Sequence, residues 1–336
     1  MKRWSPGQHR QAAQPAGAVA APAPRPEPDP VAPAPALAPP GQYGQFWVPV
    51  IVGEPIYDFE PRPPQAAGYW PDTIFDGWSS DRLTVRLASV RGYSHRYAGV
   101  PRQDSAAAAF HHDTGTVVFA VADGVSSAPQ SHVGATAVCE AAVSDLCWQL
   151  GSPDGATDWA GLAGAMTGQL AQEAAHLLGH SDADLPAIES LVATTLVTGI
   201  VTPGPQGAIA TILQIGDSSA WLLRGRRYQP VLAQKNDPGA AVVSSAVAAL
   251  PCLPDRIAPT RVHLPPDSVL LIGTDGFGDP LGDGDGLIGE LFAEHLVTPP
   301  PGRGLAHLLD FSRETFDDDR TLLAVWPRPA SQAAPQ

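Results

Sequence analysis

The chain has 336 residues, 37 of them proline, and a formal net charge of −14 at pH 7. This negative charge argues against nucleic acid as a partner, because a protein that neutralises phosphates needs basic patches. The most apolar stretch, residues 239–250, is too short to predict a membrane span, and the three cysteines form no C-x-x-C pair, so we expect a cytoplasmic protein with reduced thiols.

The N-terminal part of the chain differs in composition from the rest. Residues 1–42 are mainly Ala, Pro and Gly, which cannot bury enough apolar surface to fold and predict a disordered tail. Residues 43–80 carry many large apolar side chains between prolines, which predicts an extended arm packed along a folded domain. The alternative for this segment is a docking segment for a partner. The domain itself is expected over residues 81–328, followed by a short disordered tail, 329–336.

Hydrophobic periodicity and turn residues predict strands and helices within this domain. The predicted strands are 83–90, 116–122, 193–201, 208–215, 219–223, 228–232, 261–264, 268–274 and 321–326, and the predicted helices are 131–150, 158–178, 286–296 and 302–315. A polar loop, 91–105, separates the first two strands. Strands joined mostly by hairpins, with helices inserted in pairs, predict an α+β fold. The fit is best to a four-layer α/β-β/α sandwich of two antiparallel sheets flanked by helices.

Acidic residues follow or precede several of the predicted strands. Asp123 comes directly after the buried run 117–122, Asp217 and Asp275 follow two later strands, and Asp318 precedes the last one. An Asp beside Gly at a strand end is ordinary turn chemistry when it is taken alone. Acids at four strand ends of one domain predict a shared metal site instead, because Mg²⁺ and Mn²⁺ prefer carboxylate, carbonyl and water ligands. Two such ions can activate a bridging water for attack on a phosphoryl group.

The residues around these acids resemble the motifs of the protein phosphatase 2C family, the metal-dependent Ser/Thr protein phosphatases. The matching segments occur in the family's order: Arg102-Gln103-Asp104, Ala122-Asp123-Gly124, Ala193-Thr194-Thr195-Leu196, Ile215-Gly216-Asp217-Ser218, Thr274-Asp275-Gly276 and Asp318-Asp319-Arg320-Thr321. The resemblance covers about residues 85–326 and is closer to the bacterial branch of the family.

The resemblance implies a role for each acid of the central site. Asp123 would bridge two Mn²⁺ or Mg²⁺ ions, and the carbonyl of Gly124 would bind the second ion. Asp275 and Asp318 would complete the first metal site.

Three further positions complete the implied ligand set. Asp217 would help to hold a third, more weakly bound ion. Gln103 and Asp104 stand where the family usually has an acidic pair, and they would act on the second ion, partly through water. Because Gln103 is neutral, the second site is expected to bind its ion more weakly than in relatives with Glu.

The resemblance leaves the other catalytic groups less defined. Asp123, Asp275, Asp318 and Arg96 are the expected catalytic residues, with Arg96 favoured over Arg102 as the phosphate-binding guanidinium. Animal relatives have a histidine after the Asp-Gly pair that is suggested as general acid. Val125 follows here, so this role is unassigned, with His95 as one candidate.

The resemblance therefore implies a metal-dependent hydrolase that removes phosphate from Ser or Thr of a protein in signal transduction. The expected partners are a phosphorylated protein substrate and a cognate Ser/Thr kinase pathway, without nucleic acid or membrane, and the expected state is a monomer. The alternative is a catalytically weak or inactive pseudo-phosphatase that acts as a regulatory binding module. A phosphatase of an anti-sigma-antagonist switch shares the chemistry and differs only in substrate.

Overall fold

The computed structural model describes residues 49–329, except 58, 67, 154 and 233–248. Within these residues, eleven strands pair into a six-stranded and a five-stranded antiparallel sheet. The six-stranded sheet contains β1 (Thr73–Ser79), β2 (Leu83–Val90), β7 (Ser219–Arg224), β8 (Arg227–Pro230), β10 (Ser268–Gly273) and β11 (Arg320–Pro327). The five-stranded sheet contains β3 (Ser105–His111), β4 (Thr116–Ala122), β5 (Leu196–Gly204), β6 (Gly207–Ile215) and β9 (Thr260–Leu264). The strand orders are β1-β2-β11-β10-β7-β8 and β3-β4-β5-β6-β9.

Seven helices lie in the described part of the chain. They are α1 (Tyr93–Ala98), α2 (Ser131–Leu150), α3 (Trp159–Leu178), α4 (Leu185–Val192), α5 (Asp275–Leu281), α6 (Leu287–His295) and α7 (Gly302–Leu309). Side chains of α2, α3 and α4 pack on the five-stranded sheet, and side chains of α5, α6 and α7 pack on the six-stranded sheet. None of these described helices is long and apolar enough to cross a membrane.

The buried central strand β4 shows how the layers are joined. Successive side chains of a strand point to opposite faces of its sheet. Val118 and Ala120 accordingly pack against the helices, whereas Val117 and Phe119 face the second sheet. Both faces are apolar because both are covered, so the continuous apolar run seen in the sequence fits this position. The four-layer sandwich with two antiparallel sheets is confirmed.

Several predicted boundaries are confirmed residue for residue. The strand 83–90, the strand 116–122 and the helix 131–150 have the predicted ends. Asp158 caps α3, since its side chain accepts a hydrogen bond from the N–H of Gly161. Five elements were not predicted, namely α1, α4, α5, β1 and β3. The prediction for 302–315 was too long, because α7 ends at Leu309 and an irregular segment runs from there to β11.

The described part of the predicted arm lies against α1 and the segment after α7. The N–H of Val52 donates to the carbonyl of Ser312, whose own N–H donates to Val50. The Phe59 ring makes edge contacts with Tyr93 and Tyr97 of α1. The end of the predicted arm forms β1, which pairs with β2 as an edge strand, so that part belongs to the sheet. The predicted tails, 1–42 and all of 329–336 except residue 329, lie outside the described residues, and the domain limits stay a prediction.

Candidate metal centre

Strand ends from both sheets meet at one edge of the sandwich. Asp123 follows β4 and Asp217 follows β6 in the five-stranded sheet, whereas Asp275 follows β10 and Asp318 precedes β11 in the six-stranded sheet. These four side chains border one cavity of about 170 Å³. Its lining residues are Gln103, Asp123, Gly124, Val125, Ser126, Thr195, Asp217, Asp275 and Asp318. Six of the eight residues that the sequence predicted for the site therefore line one cavity.

Two threonines fix the main chain of Asp123. The carbonyl oxygen of Asp123 accepts hydrogen bonds of 2.8 Å from the hydroxyl of Thr194 and the N–H of Thr195. The N–H of Asp123 donates to Thr195 Oγ1 at 3.0 Å. Thr195 Oγ1 also lies 2.9 Å from the hydroxyl of Ser218, beside Asp217. The Thr-Thr motif thus joins the two acidic strand ends of the five-stranded sheet.

Gly124 occupies a position with no room for a side chain. A Cβ atom built there would lie 2.8 Å from Oγ of Ser131 and 2.9 Å from the carbonyl oxygen of Gln103, closer than real Cβ contacts come. Glycine therefore lets the loop after β4 pass close to the start of α2 and to the loop before β3. The close approach keeps the backbone of Gly124 at the cavity wall.

Asp104 is not among the residues that line the cavity. It is buried, and its Oδ2 accepts a 2.7 Å hydrogen bond from the hydroxyl of Thr274 and lies 2.8 Å from Oγ1 of Thr321. Thr274 Oγ1 in turn accepts a hydrogen bond from the N–H of Thr321. Asp104 consequently connects the start of β3 with the ends of β10 and β11, from which Asp275 and Asp318 extend.

Asp319 is a buried acid whose structural part the sequence did not reveal. Its Oδ1 accepts a 2.6 Å hydrogen bond from the N–H of Gly92 and lies 2.9 Å from Nδ1 of His95. Its Oδ2 accepts from the N–H of Gln103. Burial alone would lower the pKa of His95, but the hydrogen bond and charge of Asp319 outweigh it and leave that pKa raised. In the sequence, Asp319 is one of three consecutive acids, 317–319. That run alone does not indicate which of the three acids is buried.

The electrostatics of the cavity favour a bound cation. Burial raises the pKa of Asp104 and Asp123 well above the ordinary carboxyl value, and the neighbouring acids raise it further. Among the described residues that line the cavity, none is a lysine or an arginine. Carboxylates in such surroundings are costly when they are uncompensated, and a divalent cation would compensate them. The donors are oxygens of carboxylate, amide, hydroxyl and main-chain groups, the set that suits Mg²⁺ and Mn²⁺.

Arg96 does not line this cavity. Its Nη1 lies 2.7 Å from Oδ1 of Asp310, and its Nη2 and Nε lie 2.9 and 3.1 Å from the two carboxylate oxygens of Asp72. The guanidinium is thus paired with two carboxylates, one before β1 and one after α7. Arg102, the other arginine considered for phosphate, is buried and donates to the carbonyl of Ser89.

Comparison with known proteins agrees with this architecture. The sequence model of the family described as Protein phosphatase 2C matches residues 91–309. The catalytic domain of the serine/threonine protein phosphatase PstP, solved in complex with two manganese ions, is 21% identical, and the superposition covers 74% of this chain and 99% of that chain with a TM-score of 0.51.

Two other solved structures are more distant. The Mycobacterium tuberculosis serine/threonine phosphatase PstP/Ppp is 18% identical over 74% of this chain and 99% of that chain, with a TM-score of 0.48. RsbX in complex with magnesium is 12% identical over 76% of this chain and 100% of that chain, with a TM-score of 0.47. No curated protein sequence matches the chain.

Proposed function

The chain belongs to the protein phosphatase 2C family of Ser/Thr protein phosphatases, and from that premise we propose that it hydrolyses phosphoserine and phosphothreonine in a protein with two bound Mn²⁺ or Mg²⁺ ions. The observation that carries this proposal is the cavity in which acids from both sheets, Asp123, Asp217, Asp275 and Asp318, meet. PstP, a relative in fold, was solved with two manganese ions.

The residues of the cavity suit two cation positions. Asp123 would contact both ions, with Asp275 and Asp318 completing the first position and the carbonyl of Gly124 contributing to the second. When bound there, the cations would lower the pKa of a bridging water and screen the phosphoryl oxygens, which permits direct attack of water on phosphorus. Asp217 borders the same cavity and is the proposed ligand of a third, weaker ion.

Gln103 and Asp104 have distinct proposed parts. Gln103 lines the cavity and offers a neutral oxygen toward the second cation, which predicts weaker binding than a carboxylate would give. Asp104 is held by Thr274 and Thr321 outside the cavity lining, and its negative charge near Asp123 would add to the attraction for cations. The enzyme is thereby proposed to use few direct contacts at the second position and to rely on water for the rest.

The cellular setting follows from the substrate. A phosphorylated protein as substrate would require a Ser/Thr kinase that supplies it, so we propose a role in a signalling pathway. All three cysteines, Cys139, Cys147 and Cys252, are free, as expected for the proposed cytoplasmic location. The proposed state is a monomer. A pseudo-phosphatase is not favoured, since the three acids proposed for the first metal position all line the cavity.

Turnover measured with and without metal tests the proposal. Hydrolysis of p-nitrophenyl phosphate and of a phosphothreonine peptide should require added Mn²⁺ or Mg²⁺, and the variants Asp123→Ala and Asp275→Ala should lose it. Asp267→Ala is the matched control, because Asp267 is an exposed acid paired with Arg224 at the other end of β10. Undiminished turnover in excess EDTA would refute the proposal, and metal binding without turnover on either substrate would favour the pseudo-phosphatase.

A further inference from the structure

Arg320 is a buried arginine that makes no ion pair within the described part of the chain. Only 1% of its surface is exposed, and no carboxylate there lies within salt-bridge distance of it. Its Nη1 donates to the carbonyl oxygens of Leu309 and Phe311 at 3.1 and 2.8 Å, and its Nη2 donates to the carbonyl of Phe316. The guanidinium carbon lies 4.0 Å from the centre of the Phe311 ring.

Burying a charged side chain such as this one lowers the free energy of unfolding unless other contacts compensate. Removing the charge of this guanidinium from water costs free energy, and only 1% of Arg320 is exposed. Three carbonyl oxygens and the faces of two aromatic rings, Phe311 and Tyr93, offset part of this cost. Replacing buried charged groups by apolar side chains of similar volume is often neutral or stabilising. Stability alone therefore does not explain an arginine at this position.

The carbonyl acceptors of the Arg320 guanidinium lie on Leu309, the last residue of α7, and on the segment that joins α7 to β11. That segment has no regular structure over most of its length, and it contains Thr315 in a left-handed conformation, with φ of 73°. The hydrogen bond from Arg320 to the Phe316 carbonyl spans the three acids 317–319. The guanidinium thus fills the inside of the loop that presents Asp318 to the cavity.

Gly276 of α5 packs closely against the same loop before β11. A Cβ atom at Gly276 would overlap the carbonyl oxygen of Asp319 and would lie 3.4 Å from Cγ of Arg320. Gly276 directly follows Asp275, which lines the cavity together with Asp318. The side chain of Arg320 therefore packs between the segment after α7 and the first turn of α5, the two segments that carry Asp318 and Asp275.

We propose that Arg320 is a positioning residue that folds the loop 309–319 around its guanidinium and thereby sets the affinity of the metal position formed with Asp318. This inference rests on the proposed function, because it assigns a role toward the ions that the cavity is proposed to hold. Arg320 itself does not line the cavity and is not proposed to touch the substrate.

Mn²⁺ binding by the Arg320→Met variant tests the proposal. Methionine matches the apolar stem without the hydrogen bonds, and we expect calorimetry to show a Kd for Mn²⁺ raised by about 10- to 100-fold. The apparent activation constant for Mn²⁺ should rise by the same factor, while kcat at saturating Mn²⁺ should fall much less. Arg328→Met is the matched control, because Arg328 follows the far end of β11, is exposed and also donates to a carbonyl. It should bind Mn²⁺ as the wild type does.

Hydrogen exchange of the metal-free proteins gives a readout that does not depend on activity. Amides of residues 311–318 should exchange faster in Arg320→Met, while the amides of β4 should keep their wild-type rates. A folded Arg320→Met protein with wild-type Mn²⁺ affinity would overturn the inference while leaving the proposed function intact. A wild type that binds no Mn²⁺ would overturn both.

A second variant covers the case in which Arg320→Met does not fold. Arg320→Lys keeps a buried charge but lacks the planar fork that reaches several carbonyls and stacks on Phe311. We expect weakened Mn²⁺ binding and faster exchange of the loop amides in this variant as well. Wild-type values of both quantities in Arg320→Lys would overturn the inference.

Discussion

The main-chain N–H of Gln103 donates a hydrogen bond of 2.5 Å to Oδ2 of Asp319, across 216 positions of the sequence. The other carboxylate oxygen of Asp319 accepts from Gly92. One buried side chain therefore ties the loop that carries Gln103 and Asp104 to the loop that carries Asp318.

Removing this side chain should weaken metal binding more than its charge alone predicts. In Asp319→Ala the N–H groups of Gly92 and Gln103 lose their acceptor, and both cavity loops are released. We expect the affinity for Mn²⁺, measured by calorimetry, to fall by about 10- to 100-fold. Asp317→Ala is the control, since Asp317 is an exposed acid of the same run. Equal losses in both variants would show that only the net charge of the run matters.

The acid cluster should destabilise the metal-free protein at neutral pH. Burial raises the pKa of Asp123, and the nearby acids raise it further, so the folded state holds the proton more tightly than the unfolded state. Stability of the metal-free protein is therefore lost as pH rises from about 4, the unfolded value, through the raised folded pKa. In EDTA at pH 7, Asp123→Asn should have a higher thermal midpoint than the wild type. Adding Mn²⁺ should then raise the midpoint of Asp123→Asn by less than it raises that of the wild type.

The control for that experiment is Asp113→Asn, which changes an exposed acid in the turn between β3 and β4. Its thermal midpoint should follow the wild type with and without Mn²⁺. A lower midpoint for Asp123→Asn than for the wild type in EDTA at pH 7 would contradict the account of the cluster.

The variant Arg96→Lys tests whether the guanidinium of Arg96 stabilises the fold or binds phosphate. Its fork holds Asp72 and Asp310 together, and a lysine cannot reproduce both contacts. Arg96→Lys should lower the thermal midpoint, by about 2–4 °C for each kcal/mol lost, and leave the KM for p-nitrophenyl phosphate unchanged. A KM raised by an order of magnitude at an unchanged midpoint would instead support the phosphate contact that the sequence suggested.

Gly276 should not tolerate a side chain. A methyl group there would overlap the carbonyl oxygen of Asp319 and force apart α5 and the loop before β11. We expect Gly276→Ala to lower both the thermal midpoint and the affinity for Mn²⁺. Gly168→Ala is the control, because Gly168 lies exposed within α3 with open space around it. Alanine should stabilise that helix by about 1 kcal/mol, and a similar gain at Gly276 would contradict the predicted clash.

Hydrophobic periodicity predicts the ends of an element correctly where the element is long or is covered on both faces. The run that forms β4 is apolar on both faces, and α2 repeats its buried positions over 20 residues, so both were predicted with their observed ends. Asp123 directly follows the run that forms β4, because an unpaired carboxylate within a covered strand would be costly.

Contacts between distant segments were not predictable. The helix predicted over 302–315 ends at Leu309, where Arg320 takes the carbonyls of Leu309 and Phe311 as acceptors. The partners of Arg96 likewise come from segments before and after it in the chain. Short helices such as α1, with only six residues, offer too little periodicity to be recognised.

Anomalous diffraction at the manganese edge, on crystals grown with Mn²⁺, tests the central claim most directly. The account predicts two peaks about 3.5–4 Å apart, both in contact with Asp123, with Asp275 and Asp318 at the first peak and the Gly124 carbonyl at the second. The absence of any peak between Asp123 and Asp275 at saturating Mn²⁺ would contradict it.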